Sequence, residues 1–363
     1  MTVAGPAHAA SDHSAGSQQP EVVASGLAGP LSVDVGNALD VYVTQNFAGL
    51  LSTVDQRGRV STVHELGLPP DAGELTGVAY RGRFTYHIET DYSGAQGPVS
   101  HIIRTSRTGE RTVVSDDLWA YEVANNPDGD RTYGFTDLDA PCAAELQAFQ
   151  EGLPPERELP PLAEYSGIVE SHAYQLDVRR GTIYVADAAA NAVLAVDEST
   201  GDITTVSVLP ATPIEFTADV NDGLEGELGL DLPDCLVGNE YTPEPVPTDV
   251  QADVRGDLYV STLEGAAGEM APLSKVYRVN RSTGSASTIA GGMFGATGLA
   301  VDNSGDIFVA ELFGGKVSMI KRGGSRAETV FAADSPADVA LRGRTIFATT
   351  GVFGDGALVK YRR

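Results

Sequence analysis

The sequence lacks any uninterrupted apolar run of the roughly 20 residues that a helix needs to cross a bilayer, so it predicts no transmembrane segment. It is also poor in positive charge, because 24 Lys and Arg stand against 50 Asp and Glu, a formal net charge of −26. Such a chain repels phosphate backbones and anionic lipid surfaces, which excludes nucleic acid as an expected partner. It contains no GxSxG, HExxH, P-loop or GxGxxG motif, so the sequence gives nucleophilic catalysis no support.

The N-terminus lacks the positive and apolar regions of a complete signal peptide. Residues 7–11 nevertheless match the small-x-small pattern at which signal peptidase cuts. We interpret residues 1–20 as a signal-peptide remnant followed by a flexible polar leader, and the alternative is an ordinary disordered start. The first interpretation predicts a secreted, extracellular protein.

Cysteine is scarce as well, since Cys142 and Cys235 are the only two in the chain. They are too few for a thiolate metal site and lack CxxC spacing. Export favours pairing, so we predict a Cys142–Cys235 disulfide; the alternative is a pair of buried free thiols.

One motif recurs along the chain. It consists of a short apolar strand, a Gly or polar turn and a second strand of β-branched and aromatic residues, usually followed by two more strand-like segments. Its six copies begin at Pro30, Leu75, Ala173, Pro247, Ala296 and Pro336. Four-stranded units of about 40 to 50 residues that cannot bury their own faces are typical of a β-propeller. We therefore predict an all-β fold, a six-bladed β-propeller of four-stranded blades.

The two ends of the chain and two long insertions complete this organisation. The sixth copy has no fourth strand of its own, and residues 21–25 have the pattern of a lone strand, so we expect an N-terminal strand to close the last blade. Residues 21–363 then form a single propeller domain with insertions at 119–171 and 210–246. Each insertion holds one cysteine, and a disulfide would fix both over one face of the ring as a lid. Residues 139–152 of the first insertion are predicted to form a helix.

The aligned copies assign roles to positions of the first strand. The position of Val33 is apolar in every copy, which predicts the contact between blades. The preceding position alternates to the opposite face of the strand and is small or polar, so we expect it at the central channel. There Gln175, Asp249 and Asp338 are candidate ligand-binding residues, together with Tyr174.

Several segments resemble a known family: WAYEVANNPDG from Trp119, YSGIVESHAY from Tyr165, TIYVADAAANAVLAVD from Thr182, PVPTDV from Pro245 and GATGLAVDNSGDIFVAELFGGKVS from Gly295. From about residue 21 to the C-terminus the sequence resembles the ScyD/ScyE family of secreted propellers. More loosely it is similar to NHL and SMP-30/gluconolactonase-like six-bladed propellers, which include calcium-dependent lactonases and pure binding modules. The resemblance implies fold and export and does not choose between an enzyme and a binding module.

The resemblance also implies a candidate calcium site. Lactonase-type propellers hold one divalent ion at the channel mouth through oxygen ligands from several blades. Asp187 and Glu311 are the carboxylates at the end of the second strand, where the other copies carry Gln45, Thr90, Thr262 and Thr350. The alternative role of Asp187 is to cap a turn. A second acidic run, residues 125–130 preceded by Glu122, either coordinates Ca²⁺ or is a solvated turn.

His172 is the candidate catalytic residue. It follows Glu170 at the entry to the third copy, where an imidazole beside a carboxylate can act as a general base or metal ligand; the alternative is a structural histidine. We interpret His64, His87 and His101 as structural. The sequence thus predicts a secreted, monomeric binding or scaffold protein whose ligand, a small molecule or extracellular partner, lies on the insertion-covered face. The alternative is a metal-dependent hydrolase, lactonase or lyase that uses the channel mouth.

Overall fold

The structure is a computed structural model that describes residues 19–37, 40–69, 71–95, 97–153 and 161–363. The predicted signal-peptide remnant and nearly all of the leader lie outside the described residues, as do residues 154–160 of the first insertion.

Six four-stranded antiparallel sheets form the blades of a β-propeller, as predicted. Blade 1 consists of β2 (Ser32–Val35), β3 (Val41–Gln45), β4 (Leu50–Val54) and β5 (Val60–Glu65). Blade 2 consists of β6 (Gly73–Arg81), β7 (Phe84–Asp91), β8 (Val99–Ser106) and β9 (Arg111–Val113). Blade 3 consists of β12 (Ala173–Arg179), β13 (Thr182–Asp187), β14 (Ala192–Asp197) and β15 (Ile203–Val208). Blade 4 consists of β18 (Pro247–Ala252), β19 (Leu258–Thr262), β20 (Ser274–Val279) and β21 (Ala286–Met293). Blade 5 consists of β22 (Ala296–Val301), β23 (Ile307–Glu311), β24 (Lys316–Ile320) and β25 (Ala327–Ala332).

Blade 6 combines the two ends of the chain. Its strands are β26 (Val339–Arg342), β27 (Thr345–Thr350), β28 (Gly356–Arg362) and the N-terminal β1 (Glu21–Leu27), which pairs antiparallel with β28. Ala24 and Leu27 of β1 are buried in the apolar cluster between blades 6 and 1. The N-terminal strand therefore closes the ring and covers an edge that would otherwise be unpaired.

Apolar columns hold neighbouring blades together. The position predicted to be core is buried in every blade, at Val33, Val78, Leu176, Val250, Leu299 and Val339. A second column on the next strand is aromatic throughout, at Tyr42, Tyr86, Tyr184, Tyr259, Phe308 and Phe347. Because side chains alternate between the faces of a strand, each sheet packs one apolar face on each neighbour.

The two insertions have elements of their own. The first contains α1 (Leu118–Asn125), β10 (Thr132–Tyr133), α2 (Ala140–Glu151) and β11 (Tyr165–Ser166), and the second contains β16 (Ile214–Glu215), α3 (Ala218–Leu228) and β17 (Glu240–Tyr241). The predicted helix is confirmed as α2, which begins where the Asp139 side chain accepts a hydrogen bond from the Cys142 amide. The Cys142–Cys235 disulfide is also formed, and the insertions share an apolar core that includes Phe135, Phe216 and Tyr241.

The insertions cover one face of the ring. Each blade begins with its innermost strand, which runs across the ring from one face to the other. The connection that enters the blade therefore lies on one face, and the hairpin between the first and second strands lies on the opposite face. Both insertions are entering connections, one before β12 and one before β18. We call this the insertion face, and its opposite the hairpin face. Within the described residues, no helix has the length and apolar character needed to cross a membrane.

Candidate functional site

His172 lies on the insertion face, directly before β12, and its partner is a carboxylate from another blade. The imidazole Nε2 is 2.9 Å from Oε2 of Glu74 on β6, and the Tyr92 hydroxyl donates a hydrogen bond of 3.0 Å to the same oxygen. The Tyr174 and His172 rings pack in a T-shaped arrangement, with 5.6 Å between ring centroids. We call His172, Glu74, Tyr92 and Tyr174 the His172 site.

The His172–Glu74 pair favours the charged form of both groups. Burial disfavours the imidazolium, but the hydrogen bond and charge of Glu74 outweigh this effect and raise the pKa of His172. Burial likewise opposes ionisation of Glu74, and the hydrogen bond and charge of His172 outweigh it and lower the pKa of Glu74. The His172 side chain is still 39% exposed, so a ligand can reach it.

Glu170, the carboxylate that the sequence analysis placed beside His172, is exposed. Its charge helps to raise the pKa of His172, after the effects of burial, Glu74 and Asp187. The hydrogen-bonded carboxylate is Glu74, which sequence reasoning missed. The two residues of the pair are 98 positions apart, and only the packing of blade 2 against blade 3 brings them together.

A cluster of carboxyl groups lies behind the His172 site: Glu122, Asp128 and Asp187 are buried, and Glu244 is half-buried. Asp128 Oδ2 accepts hydrogen bonds of 2.9 Å from Tyr133 and Asn191, while Tyr165 donates one of 3.0 Å to Glu244. Burial raises the pKa values of Asp128, Asp187 and Glu244.

Glu122 of α1 is the least compensated member of this cluster. Its residue is only 2% exposed, and neither carboxylate oxygen has a hydrogen-bond partner of good geometry among the described residues. Burial, together with the charges of Asp187 and Asp128, raises the pKa of Glu122 to about 8. Burial thus opposes ionisation of these carboxyl groups, and a positive charge bound nearby would favour it.

Asp187 and Glu311, the predicted metal ligands, each have other partners. Asp187 accepts hydrogen bonds of 2.7 Å from the His172 amide and 2.6 Å from the Ser171 hydroxyl. Glu311 accepts one of 3.0 Å from the Phe294 amide and is hydrogen-bonded to Ser318. Each carboxylate thus anchors the segment that enters its own blade. Within the described residues, neither belongs to a group of three or more close His, Cys, Asp or Glu ligands.

The strand pairing corrects one position of this column. Glu89 lies opposite Leu75, just as Asp187 lies opposite Ala173 and Glu311 opposite Ala296. The blade 2 residue of the column is therefore Glu89, and the assignment to Thr90 was wrong. The hairpin of blade 2 is one residue shorter than that of blade 5, which shifts the end of the strand.

Gln175, Asp249 and Asp338 lie on the channel, as expected, where they join inner strands. Asp338 Oδ2 accepts hydrogen bonds of 2.7 Å from the Val33 amide and 3.0 Å from Gln175, and Asp249 accepts one of 2.6 Å from the Leu299 amide. Burial and the charges of other channel aspartates raise the pKa of Asp249 to about 8. Burial and the charge of Asp249 raise the pKa of Asp338.

These three channel residues line a cavity of about 540 Å³. The cavity is also lined by the hairpin residues 253–255, 257 and 302–305, so it opens on the hairpin face. Of the four predicted ligand-binding residues, only Tyr174 belongs to the His172 site. Tyr174 directly precedes Gln175 on β12, and the charges of Asp338 and Asp249 help to raise its pKa, so the His172 site adjoins the channel aspartates.

Comparisons with known proteins are consistent with this architecture. No protein-family model and no curated protein matches the chain. The fold is similar to a putative glucose dehydrogenase from Thermus thermophilus (14% identity, TM-score 0.55, covering 94% of this chain and 99% of that one). It is also similar to an aldose sugar dehydrogenase from Streptomyces coelicolor (12%, 0.54, 93% and 95%) and a gluconolactonase from Xanthomonas campestris (10%, 0.53, 94% and 94%).

At these identities the similarity defines the class of protein by fold alone: the chain is a six-bladed β-propeller. The resemblance to the ScyD/ScyE family stays a prediction.

Proposed function

We propose that this protein is an exported binding module that holds a small organic cation, such as a primary or quaternary amine, at the His172 site on the insertion face. The observation that supports this most is the buried carboxyl group of Glu122 behind that site, beside Asp128 and Asp187, whose oxygens form no well-aligned hydrogen bond among the described residues. A bound cation favours the ionised form of such a carboxyl group, so ionisation of Glu122 and binding of a positive ligand support each other. Tyr92 and Tyr174 are aromatic residues of the kind that an ammonium group contacts.

An organic cation fits the site better than a bare metal ion. Calcium needs six to eight oxygen ligands around one point, whereas the described carboxylates of this cluster form no close group of three. An ammonium group is held by a few hydrogen bonds, here to the Glu74 carboxylate, and its binding favours the neutral form of His172. Calcium remains the competing cation in the test.

Export is supported by the disulfide between the insertions. Disulfides persist in oxidising compartments and are rare in reducing ones. The bond also joins the two insertions on the face that carries the ligand site, which suits a preformed binding surface.

Isothermal titration calorimetry of the full-length protein tests the proposal, with a panel of primary and quaternary amines, calcium chloride and neutral sugars as ligands. We expect amines to bind and Glu74→Gln to weaken the binding at least tenfold, because the substitution removes one negative charge from the site. Glu240→Gln, on an exposed position of the same face, is the matched control and should bind normally. If calcium alone binds, the ligand of the site is a metal ion and not an amine. If neutral sugars alone bind, the ligand is not a cation.

A second candidate function is hydrolysis or elimination, with lactones and esters as the first substrates to screen. It is favoured by the hydrogen-bonded His172–Glu74 pair, in which a partly exposed imidazole is positioned to transfer a proton. Turnover that is abolished in His172→Ala and retained in His101→Ala would support an enzyme. Binding of a ligand without turnover in the parent protein would support the binding module.

A further inference from the structure

Two histidines and a glutamate meet between blades 1 and 2, away from the His172 site. His64 lies on β5, the outermost strand of blade 1, and His87 and Glu89 lie on β7 of blade 2. The Nε2 atoms of His64 and His87 are 2.8 and 2.9 Å from Oε1 of Glu89. The ligand atoms of the three side chains all lie within 4.8 Å of one another.

The other five blades have no histidine at the equivalent of His87. The strand pairing aligns this position with apolar residues of those blades: Val43, Val185, Val260, Val309 and Ala348. A fully buried imidazole thus replaces an aliphatic side chain at a position of the core. Burying a polar ring costs free energy unless the ring gains a specific partner, so this exception requires an explanation.

Glu89 also departs from its column. Gln45, Asp187 and Glu311, its equivalents, each accept a hydrogen bond from the backbone segment that enters their own blade. In the described part of the chain, the partners of the Glu89 carboxylate are instead side chains: His64, His87 and Arg111. The column position is the same, but its carboxylate faces a cluster of nitrogen donors.

The buried imidazole of His87 has a partner on only one ring nitrogen among the described residues. It is 0% exposed, and its Nδ1 atom has no hydrogen-bond partner among the described residues, so a second proton would be buried unpaired. A metal ion would take the place of the proton that Nε2 shares with Glu89, and the remaining ring proton would then lie on Nδ1.

The geometry at His64 is consistent with convergence on a common point. Its Nε2 atom is close to Glu89 but forms no aligned hydrogen bond, and the ring lies 5.6 Å from that of His87 between centroids. Tetrahedral zinc ligands with bonds of 2.0–2.1 Å lie about 3.3 Å apart, so each of the two nitrogens needs to lie about half an ångström farther from Oε1 of Glu89. His64 lies on β5, the edge strand of its blade, which pairs with only one other strand and can therefore accommodate a shift of this size.

The surrounding interface has little apolar packing. The buried cluster between blades 1 and 2 consists of Leu51, Leu75 and Val78, whereas each of the other clusters between blades contains at least eight buried residues. A bond network from one blade to the other would stabilise the interface that hydrophobic burial stabilises least.

We propose that His64, His87 and Glu89 form a transition-metal site that ties blade 1 to blade 2, with zinc as the best-suited ion. Two imidazole nitrogens and one carboxylate oxygen suit Zn²⁺ and its first-row neighbours, and not calcium, which prefers oxygen alone. Three protein ligands leave a fourth position for water. Arg111 neutralises Glu89 in the metal-free protein, and its partly exposed side chain can move to solvent.

The test uses the full-length protein without a polyhistidine tag. After removal of metal by chelation, it is titrated with Zn²⁺, and with Co²⁺ to record the visible spectrum of the bound ion. We expect one ion per chain and a higher unfolding temperature with metal. His64→Ala and Glu89→Gln should weaken binding at least tenfold. Unfolding curves of these variants and of the parent, all recorded in chelator, show whether the variants are folded without metal.

Matched controls separate this site from other histidines. Three control variants should bind metal as the parent does. They are His101→Ala in the same blade, His172→Ala on the insertion face, and the double variant His8→Ala/His13→Ala. Arg111→Gln should bind metal several-fold more tightly, because it removes a competing positive charge. No binding by the parent, binding unaffected by Glu89→Gln and His64→Ala, or affinity unchanged in Arg111→Gln would overturn the proposal.

Discussion

Buried carboxyl groups in this protein differ in how many hydrogen bonds they accept. Asp187 and Asp249 each accept at least two hydrogen bonds, from amides or a hydroxyl, whereas Glu122 has no well-formed hydrogen bond among the described residues. Several accepted hydrogen bonds offset the free-energy cost of burying a charged carboxylate. An uncompensated one destabilises the fold once it ionises, and this difference can be measured as a dependence of stability on pH.

Glu122→Gln should remove part of that dependence. The pKa of Glu122 rises from 4.5 to about 8 on folding, so the folded state binds more protons than the unfolded state between these values. Its contribution to the free energy of unfolding therefore decreases as pH rises from 4.5 to 8. We expect the variant to match the parent near pH 4.5 and to be more stable by about 2 to 4 kcal/mol at pH 8.

Urea unfolding at several pH values checks this expectation, with chelator present. The difference between variant and parent cancels the titration of the other groups. Glu240→Gln, at an exposed position, should show the pH profile of the parent. Parallel profiles for Glu122→Gln and the parent would show that Glu122 is compensated in solution.

At the scale of elements, β1 carries the closure of the ring. Leu27 is 2% exposed and belongs to the cluster between blades 6 and 1, whereas Val22 of the same strand is 61% exposed. Leu27→Ala should destabilise the protein by about 2 to 5 kcal/mol, and Val22→Ala by less than about 0.5 kcal/mol. Thermal and denaturant unfolding measure both, and equal, small effects would show that closure adds little.

The disulfide is a second feature at this scale, because it joins the two insertions covalently. It joins residues 93 positions apart, and the loop-entropy relation gives about 4 to 5 kcal/mol for a loop of that length. We expect Cys142→Ser/Cys235→Ser to lower the unfolding temperature and to make the insertions sensitive to protease before the blades. Parent protein treated with reductant should behave in the same way. Unchanged proteolysis would mean that the insertion core around Phe135 and Phe216 suffices.

The elements were predictable from the sequence because each blade repeats the same pattern. The apolar column at Val33, the closing strand, α2 and the disulfide all follow from local pattern or cysteine count. The site was harder to predict. Glu74 meets His172 across two blades, and His64 meets His87 from an outer strand, so neither pairing has a local signal. One signal was available: at His87 an imidazole interrupts a column that is aliphatic in the other copies.

At the scale of the whole molecule, the excess of acidic residues opposes folding through mutual repulsion. The formal charge of −26 is spread over a single compact ring, and repulsion among like charges destabilises a compact state more than an extended one. Salt screens this repulsion, because the Debye length falls from about 10 Å at 0.1 M to about 3 Å at 1 M. Stability should therefore depend on ionic strength.

Sodium chloride should raise the unfolding temperature at neutral pH by about 2 to 6 °C between 0.02 and 0.5 M. Chelator must be present, so that metal binding between blades 1 and 2 does not contribute. The control is the same titration near pH 4.4, the isoelectric point, where the net charge vanishes and salt should have little effect. An equal rise at both pH values would indicate a general salt effect on hydrophobic burial, since that effect does not depend on net charge. A rise confined to neutral pH would show that repulsion among the acidic residues limits the stability of the ring.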